Sequence, residues 1–343
     1  MQFGIYVNNS MVKKALIIGV SSQDGSYLAE FLLEKGYDVT GTVRHSTNFY
    51  LENIQHLYGK IAIEAADLID SESIAQVIRK HNPLEVYNIA AQSIPGDSWT
   101  QPFYTGEVTA LGPVRVMEAI RHFAPEARFY QATSREIFGN IHAESANEST
   151  LFDANNPYGI AKSYAHMMTR CYRESFNMFA CGGILFNHES PRRGLHFVTR
   201  KITAGAAMIK NKVANPPLNE LGEPLVKDGK LYMGDLTMHR DWGYAKEYVE
   251  AMWLMLQQDK PKDYVIGTNS THSVKEVCQI AFEHVGLNWE DHVESDKRLY
   301  RPTEIKELKG DYSLAKKELG WEPKTSFEDL IKLMVDADLE RFT

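Results

Sequence analysis

The chain has 343 residues, 43% of them hydrophobic and 24% charged, with a formal net charge of −8. That balance suits a globular chain of one or two domains, and the acidic excess excludes non-specific nucleic-acid binding, which needs a basic face. No apolar run is long enough to span a bilayer, and Cys171, Cys181 and Cys278 lack metal-ligand spacing, which predicts reduced thiols in a cytoplasm and no metal site.

Residues 1–10, MQFGIYVNNS, lack the charged and apolar regions of a secretory signal and read as a loose extension, or as a stretch before an alternative start at Met11. The first element is Lys14–Gly19, an apolar run suited to a buried parallel strand. Gly19, Ser22, Gln23, Asp24 and Gly25 then lie in a turn before an amphipathic helix that ends at Gly36. Strand, glycine-bearing turn and helix form the phosphate-binding start of a Rossmann unit, where backbone N–H groups and the helix dipole meet a pyrophosphate. Ser22 holds the middle glycine position of GxxGxxG, so its φ must stay in the ordinary range.

A second strand is expected over Asp38–Val43. Where an acidic residue would accept the ribose hydroxyls of NAD, this chain has Arg44, then His45, Ser46 and Thr47. A cation with hydroxyls suits a 2′-phosphate, so NADP is the expected cofactor and NAD the alternative. A short strand over Lys60–Glu64 leads to Asp67 and Leu68, where an adenine can sit. A helix over Ser71–His81 and a strand over Glu85–Ala90 follow, and Ala90, Ala91, Gln92 and Ser93 leave that strand's end as small or polar residues able to pass close to a cofactor. A long helix over Pro102–Phe123 contains Tyr104, and a fifth strand is expected over Ala127–Ala132. Alternating strands and helices predict an α/β fold: a doubly wound parallel Rossmann sheet with ligands at the strand C-terminal ends and a smaller C-terminal substrate-binding lobe.

The fifth strand delivers Ser134 and Glu136, a hydroxyl and a carboxylate at one edge of that cleft. Downstream lies Asn156-Pro157-Tyr158-Gly159-Ile160-Ala161-Lys162. Pro157 suits the first turn of a helix, which places Tyr158 and Lys162 four apart on one face. An ammonium near a phenol favours the phenolate, so the pair predicts a general base for a sugar or alcohol hydroxyl, with its phenol lowered by the lysine.

These motifs resemble the GDP-mannose 4,6-dehydratase family of extended short-chain dehydrogenase/reductases. The resemblance covers nearly all of residues 13–340. It is most specific in Gln23–Glu30, Asn156–Lys162 and Gly183–Gly194, and continues through Val198–Ile202, Arg240–Gly243, Glu250–Gln258, Arg301-Pro302 and Leu319–Trp321. It implies a catalytic set of Ser134, Glu136, Tyr158 and Lys162, with serine in place of the family's threonine. It adds His188 and Arg193 to Lys162 as cofactor contacts, and it places a GDP-sugar on Asn187, Val198, Lys201, Arg240, Arg301 and Glu304. It implies a homodimer or homotetramer, and a nicotinamide-dependent lyase that makes a GDP-4-keto-6-deoxyhexose. The alternatives are a GDP-manno-heptose 4,6-dehydratase, a GDP-sugar 4-dehydrogenase or epimerase, and a non-catalytic nucleotide-binding protein.

The chain departs from the family pattern at Ser22, at Ile94-Pro95, at Asn53 and at Arg135, which stands where the family has a small residue. Residues 211–230 are longer than the family's link, rich in proline and glycine, and expected to be an exposed loop. The expected division is a nucleotide-binding domain over 11–185 with returning segments near 240–267, and a substrate lobe over 186–240 and 268–343. Strands over Leu231–Met233 and Tyr264–Ile266, helices over Ala245–Gln257 and Val274–Val285, and a last helix capped by Thr325 or Ser326 complete the reading.

Overall fold

The computed structural model describes residues 12–44, 51–139, 141, 143–300 and 307–343. Ser46, Arg301, Glu304 and the 1–10 extension lie outside the described residues, as do His45 and Thr47. The first strand, β1 (Lys14–Ile18), pairs in parallel with β2 (Asp38–Val43) on one side and with β4 (Glu85–Asn88) on the other. Outward from β2 lies β3 (Ala62–Ala65), and outward from β4 lies β5 (Arg128–Ser134). Ala180–Leu185 and Tyr264–Ile266 extend that side to give a seven-stranded, all-parallel sheet. Its strand order reverses at β1, so the crevice of an open α/β sheet falls at the C-terminal ends of β1 and β4.

Helices cover both faces. Helix α1 (Gln23–Glu34) packs with Ala245–Leu256 over one face, where Leu28, Leu32, Val249 and Met252 are fully buried. Helix α2 (Ser71–His81) joins Gly112–Phe123 and Pro157–Phe176 on the other. A separate apolar core forms among Val198–Asn211, Val274–His284, Phe327–Arg341 and the strand Lys230–Met233. Ser326 caps the last of these helices through the N–H of Asp329.

Three details differ from the sequence expectation. The fifth strand runs on to Ser134, so the candidate hydroxyl sits on its last residue. The helix expected over Pro102–Phe123 is interrupted by a π stretch, Gly106–Leu111. Pro113 has no N–H to donate and its ring clashes with a normal α turn before it, which accounts for the widened turn. That turn offers the Thr109 Oγ1 to the N–H of Gln92 at 3.0 Å, on the crevice edge. Finally, residues 211–230 are not wholly loop: Val226–Lys227 and Lys230–Met233 form an antiparallel hairpin, with Asp228 and Gly229 at positive φ in the turn. Asp-Gly is the turn chemistry that favours such a hairpin.

Candidate active site

The turn from β1 into α1 is built for close approach. Gly19 has φ +91°, and a Cβ there would lie 3.0 Å from the Cβ of Ala90. A Cβ on Gly25 would lie 2.4 Å from the Gly19 carbonyl oxygen. Ser22 keeps an ordinary φ of −69° and serves as the N-cap of α1: its Oγ accepts from the N–H of Gly25 at 3.0 Å and donates to the Gly19 carbonyl at 2.8 Å. Ser22 thus caps the helix without straining the turn.

Of the other described cofactor candidates, Asp24, Ala91, Ser93, Lys162, His188 and Arg193 line one cavity, whereas Arg44, Asp67, Leu68, Ala90, Gln92 and Tyr104 are not part of its lining. Arg44 leaves β2 and donates to the hydroxyl of Tyr104. Asp67 accepts from the N–H of Ile69, and Leu68 is buried beneath. Ala91 and Ser93 face the large cavity that opens at the strand ends. Asp24 faces it too, but is paired with His188: Nε2 lies 2.8 Å from Asp24 Oδ2 and Nδ1 lies 2.7 Å from the Phe186 carbonyl. Both ring nitrogens meet acceptors, so the ring is held as an imidazolium, stacked on Tyr248 at 4.7 Å. Burial opposes its charge, but Asp24 overcomes this and raises its pKa. Gln23 completes the knot, donating to the His188 carbonyl and accepting from Ser190.

The catalytic candidates converge on this cavity. Asn156 caps the helix that starts at Pro157, so Tyr158 stands in its first turn and Lys162 one turn later. Ser134 Oγ accepts from the N–H of Glu136 at 3.3 Å and lines the cavity with Tyr158. Asn156 Nδ2 donates to Glu136 Oε2 at 2.9 Å, and Arg135 Nε lies 3.9 Å from Glu136 Oε1. Ser134, Glu136, Tyr158 and Lys162 all line the cavity, with Arg135 between the first two.

One expectation about this set is corrected. Tyr158 is not lowered by Lys162: burial pushes the phenol up to about 12, with Glu136 and Asp24 adding to the rise and Ser134 and Arg193 opposing it. Lys162 is itself buried, and burial pulls its ammonium down to about 8 against the pull of Asp24. Its Nζ donates to the Ala132 carbonyl at 2.7 Å and stays 5.8 Å from the Tyr158 ring centre. Burial of both groups outweighs their mutual attraction.

The candidate GDP-sugar contacts Asn187, Val198, Lys201 and Arg240 also line the cavity, as does Arg193. Arg193 pairs with Glu189 at 3.2 Å and lies 3.5 Å over the Phe197 ring. Lys201, on the first turn of Val198–Asn211, is ion-paired with Glu220 from the 211–230 segment. Arg240 donates to the His239 carbonyl. Sequence reasoning missed Glu220, His196 and Asp235, which also line the cavity, and the role of Asn156. Asparagine before proline is a cap signal that was open to reading; Glu220 gave none, because it arrives from nineteen residues beyond its partner.

A family profile described as GDP-mannose 4,6 dehydratase matches residues 16–334. The chain belongs to the GDP-mannose 4,6-dehydratase family. The chain is 48% identical over 340 residues to GDP-mannose 4,6 dehydratase 1 of Arabidopsis thaliana, covering 96% of this chain and 90% of that one. It is 42% identical over 353 residues to the human GDP-mannose 4,6 dehydratase, covering 95% and 91%. Among solved structures, a UDP-glucose 4-epimerase from Thermotoga maritima superposes with a TM-score of 0.82 at 21% identity, covering 96% of this chain and 100% of that one. A dTDP-glucose 4,6-dehydratase from Bacillus anthracis gives 0.79 at 19%, covering 95% and 96%. At such identity these two speak for the fold.

Proposed function

We propose that the chain is a nicotinamide-dependent GDP-mannose 4,6-dehydratase, converting a GDP-hexose to its 4-keto-6-deoxy form with loss of one water and no net redox change. The observation that carries this reading is the carboxylate of Glu136 beside Ser134, Tyr158 and Lys162 in one cavity, in a chain of this family. A 4-epimerase or 4-dehydrogenase needs the tyrosine and lysine but no base for H5.

The residues fit a dinucleotide: the Gly19 and Gly25 contacts leave no room for side chains, and a helix N-terminus points into the crevice. A bound nicotinamide supplies a hydride acceptor that later returns the hydride. The protein's part is proton handling. Tyr158, acting as the phenolate that a hydrogen bond from Ser134 would favour, takes the proton of the sugar 4-hydroxyl and becomes the phenol. The resulting 4-keto group acidifies H5, which Glu136 removes as a proton. The C6–O bond then breaks, and the departing hydroxide takes from Glu136 the proton removed at C5 and leaves as water. The proton that Tyr158 took from the 4-hydroxyl returns to C5 as C6 is reduced. We assign the nucleotide side to residues 11–185 with 240–267, and the GDP-sugar side to 186–240 and 268–343, where Lys201 and Arg240 suit a diphosphate.

The cofactor is taken as NADP, because Arg44 and Tyr104 meet at the end of β2 where a 2′-phosphate would lie. Exposed Phe103, Ile160, Tyr164 and Met167 on adjacent helices support a homo-oligomer. Arg135, buried in the cavity wall, favours one second reading, a sugar with more hydroxyls than mannose, such as a heptose. Mass spectrometry of the sugar nucleotide after incubation with NADP⁺ and GDP-mannose, or GDP-manno-heptose, separates the two. In the same assay Glu136→Gln should lower dehydration by roughly 10²- to 10⁴-fold while cofactor affinity is kept. Unchanged turnover would sink the assignment.

A further inference from the structure

Asn156 does two things with one amide. Its Oδ1 accepts the N–H of Gly159 at 2.8 Å, which caps the helix carrying Tyr158 and Lys162. Its Nδ2 donates to Glu136 Oε2 at 2.9 Å. The side-chain orientation is unambiguous, because a backbone N–H requires the oxygen and a carboxylate requires the nitrogen. Its second amide hydrogen goes to Asn155 Oδ1 at 3.3 Å, and the residue is only 6% exposed. Pro157 holds Asn156 in extended backbone, at φ −141° and ψ 157°, which fixes where the amide points. The helix start is also pressed against the Glu136 main chain: a Cβ on Gly159 would lie 2.6 Å from the Glu136 carbonyl oxygen.

Capping alone does not require this residue, since serine and aspartate cap equally well. What asparagine adds is a donor left over after the cap is made. Arg135 Nε lies 3.9 Å from the other carboxylate oxygen, Oε1. The carboxylate is therefore approached from both oxygens, by one group on its own turn and one on the Tyr158 helix.

We infer that Asn156 is a positioning residue for the elimination step: it ties the Glu136 carboxylate to the helix that carries Tyr158, so the group that removes H5 is held in register with the group that takes the 4-hydroxyl proton. The inference rests on the dehydratase reading given above. It predicts a defect confined to one step. Asn156→Ser keeps an N-cap but is too short to hold Glu136. Asn156→Asp keeps the cap and sets a second carboxylate against Glu136. Both should fold with near-normal thermal stability and keep the KM for GDP-mannose, whereas Asn156→Ala loses the cap as well and should melt lower.

The test follows single turnovers of the protein with NADP⁺ and GDP-mannose in D₂O, reading reduced-nicotinamide absorbance and deuterium at C5. For Asn156→Ser, C4 oxidation should keep its rate, reduced cofactor should build up transiently, and C5 exchange and product formation should slow about tenfold or more. Asn156→Asp should be slower still. Equal slowing of oxidation and exchange would make Asn156 merely structural and overturn the inference. So would an Asn156→Ser variant with unchanged exchange. Glu136→Gln, run alongside, keeps the two proposals apart: if it also turns over normally, the dehydratase reading itself has failed; if it alone is blocked, only the positioning role has.

Discussion

Replacing Lys162 with methionine should stabilise the nucleotide-free protein while removing its activity. Lys162 is 3% exposed, and burial takes its ammonium from an ordinary 10.5 down to about 8. At ~1.36 kcal/mol per tenfold change in proton affinity, holding that charge costs the folded protein roughly 3 kcal/mol at neutral pH. The hydrogen bond to the Ala132 carbonyl returns about 1 kcal/mol, and that carbonyl keeps Gln131 as a donor after the substitution. Methionine has similar length and no charge, so a net gain of about 2 kcal/mol is expected for Lys162→Met. The sign has a pH signature. The folded state binds this proton more weakly than the unfolded one, so wild-type stability rises as pH climbs from about 8 towards 10.5. The advantage of the variant should be full below about 8 and shrink above it. Urea denaturation of both proteins, freed of nucleotide, across that range measures the gap. A variant less stable than wild type at neutral pH, or a gap that does not change with pH, would refute the argument. The expected trade of stability for function is the usual condition of a buried catalytic charge.

Two further substitutions test the frame around the site. Arg200 and Asp338 form an ion pair with both side chains fully buried, and Thr203 donates to Asp338 at 2.8 Å. Asp338→Ala leaves the Arg200 charge buried without its carboxylate and should lower stability in urea by about 3–5 kcal/mol; a loss below about 1 kcal/mol would show that water reaches the pair. At the cofactor turn, Ser22→Ala should cost about 1 kcal/mol by removing the cap, whereas Ser22→Gly should cost only a few tenths. No loss for either variant, by the same denaturation, would mean that the Oγ contacts to Gly19 and Gly25 contribute nothing.

Most of the sheet was legible as short runs closed by turn residues: the strands Asp38–Val43 and Tyr264–Ile266 and the helix Ser71–His81 fall where the pattern places them, whereas the strand Ala180–Leu185, with two glycines in its middle, was not read. The family motifs were legible because spacing alone puts Tyr158 and Lys162 on one helix face. What spacing does not carry is burial. The expectation that Lys162 lowers Tyr158 treats two charges in isolation; the structure removes both from water, which raises the phenol and lowers the ammonium. Nor does spacing carry contacts made across the fold. Asp24 meets His188 at a separation of 164 residues, and each had been read as a separate cofactor contact. The two form an ion pair at the mouth of the crevice, and the negative member acts on Tyr158 and Lys162 alike.

Three of the features read in the sequence as departures from the family pattern make contacts in the fold. Ser22 caps α1. Arg135 enters the cavity beside Glu136 from a position where a small residue would leave space. The extended 211–230 segment carries Glu220 to Lys201, so a diphosphate arriving at that lysine must compete with a carboxylate already there. Ser22 lies in the turn that opens α1, whereas Arg135 and the Glu220–Lys201 pair line the same cavity as the proposed proton-transfer set of Ser134, Glu136, Tyr158 and Lys162. Substitutions around an intact acid–base set change which substrate is held and how tightly, while leaving the order of bond changes as it was. The sugar is therefore the variable to test across substrates, and the elimination chemistry is what those substrates should share.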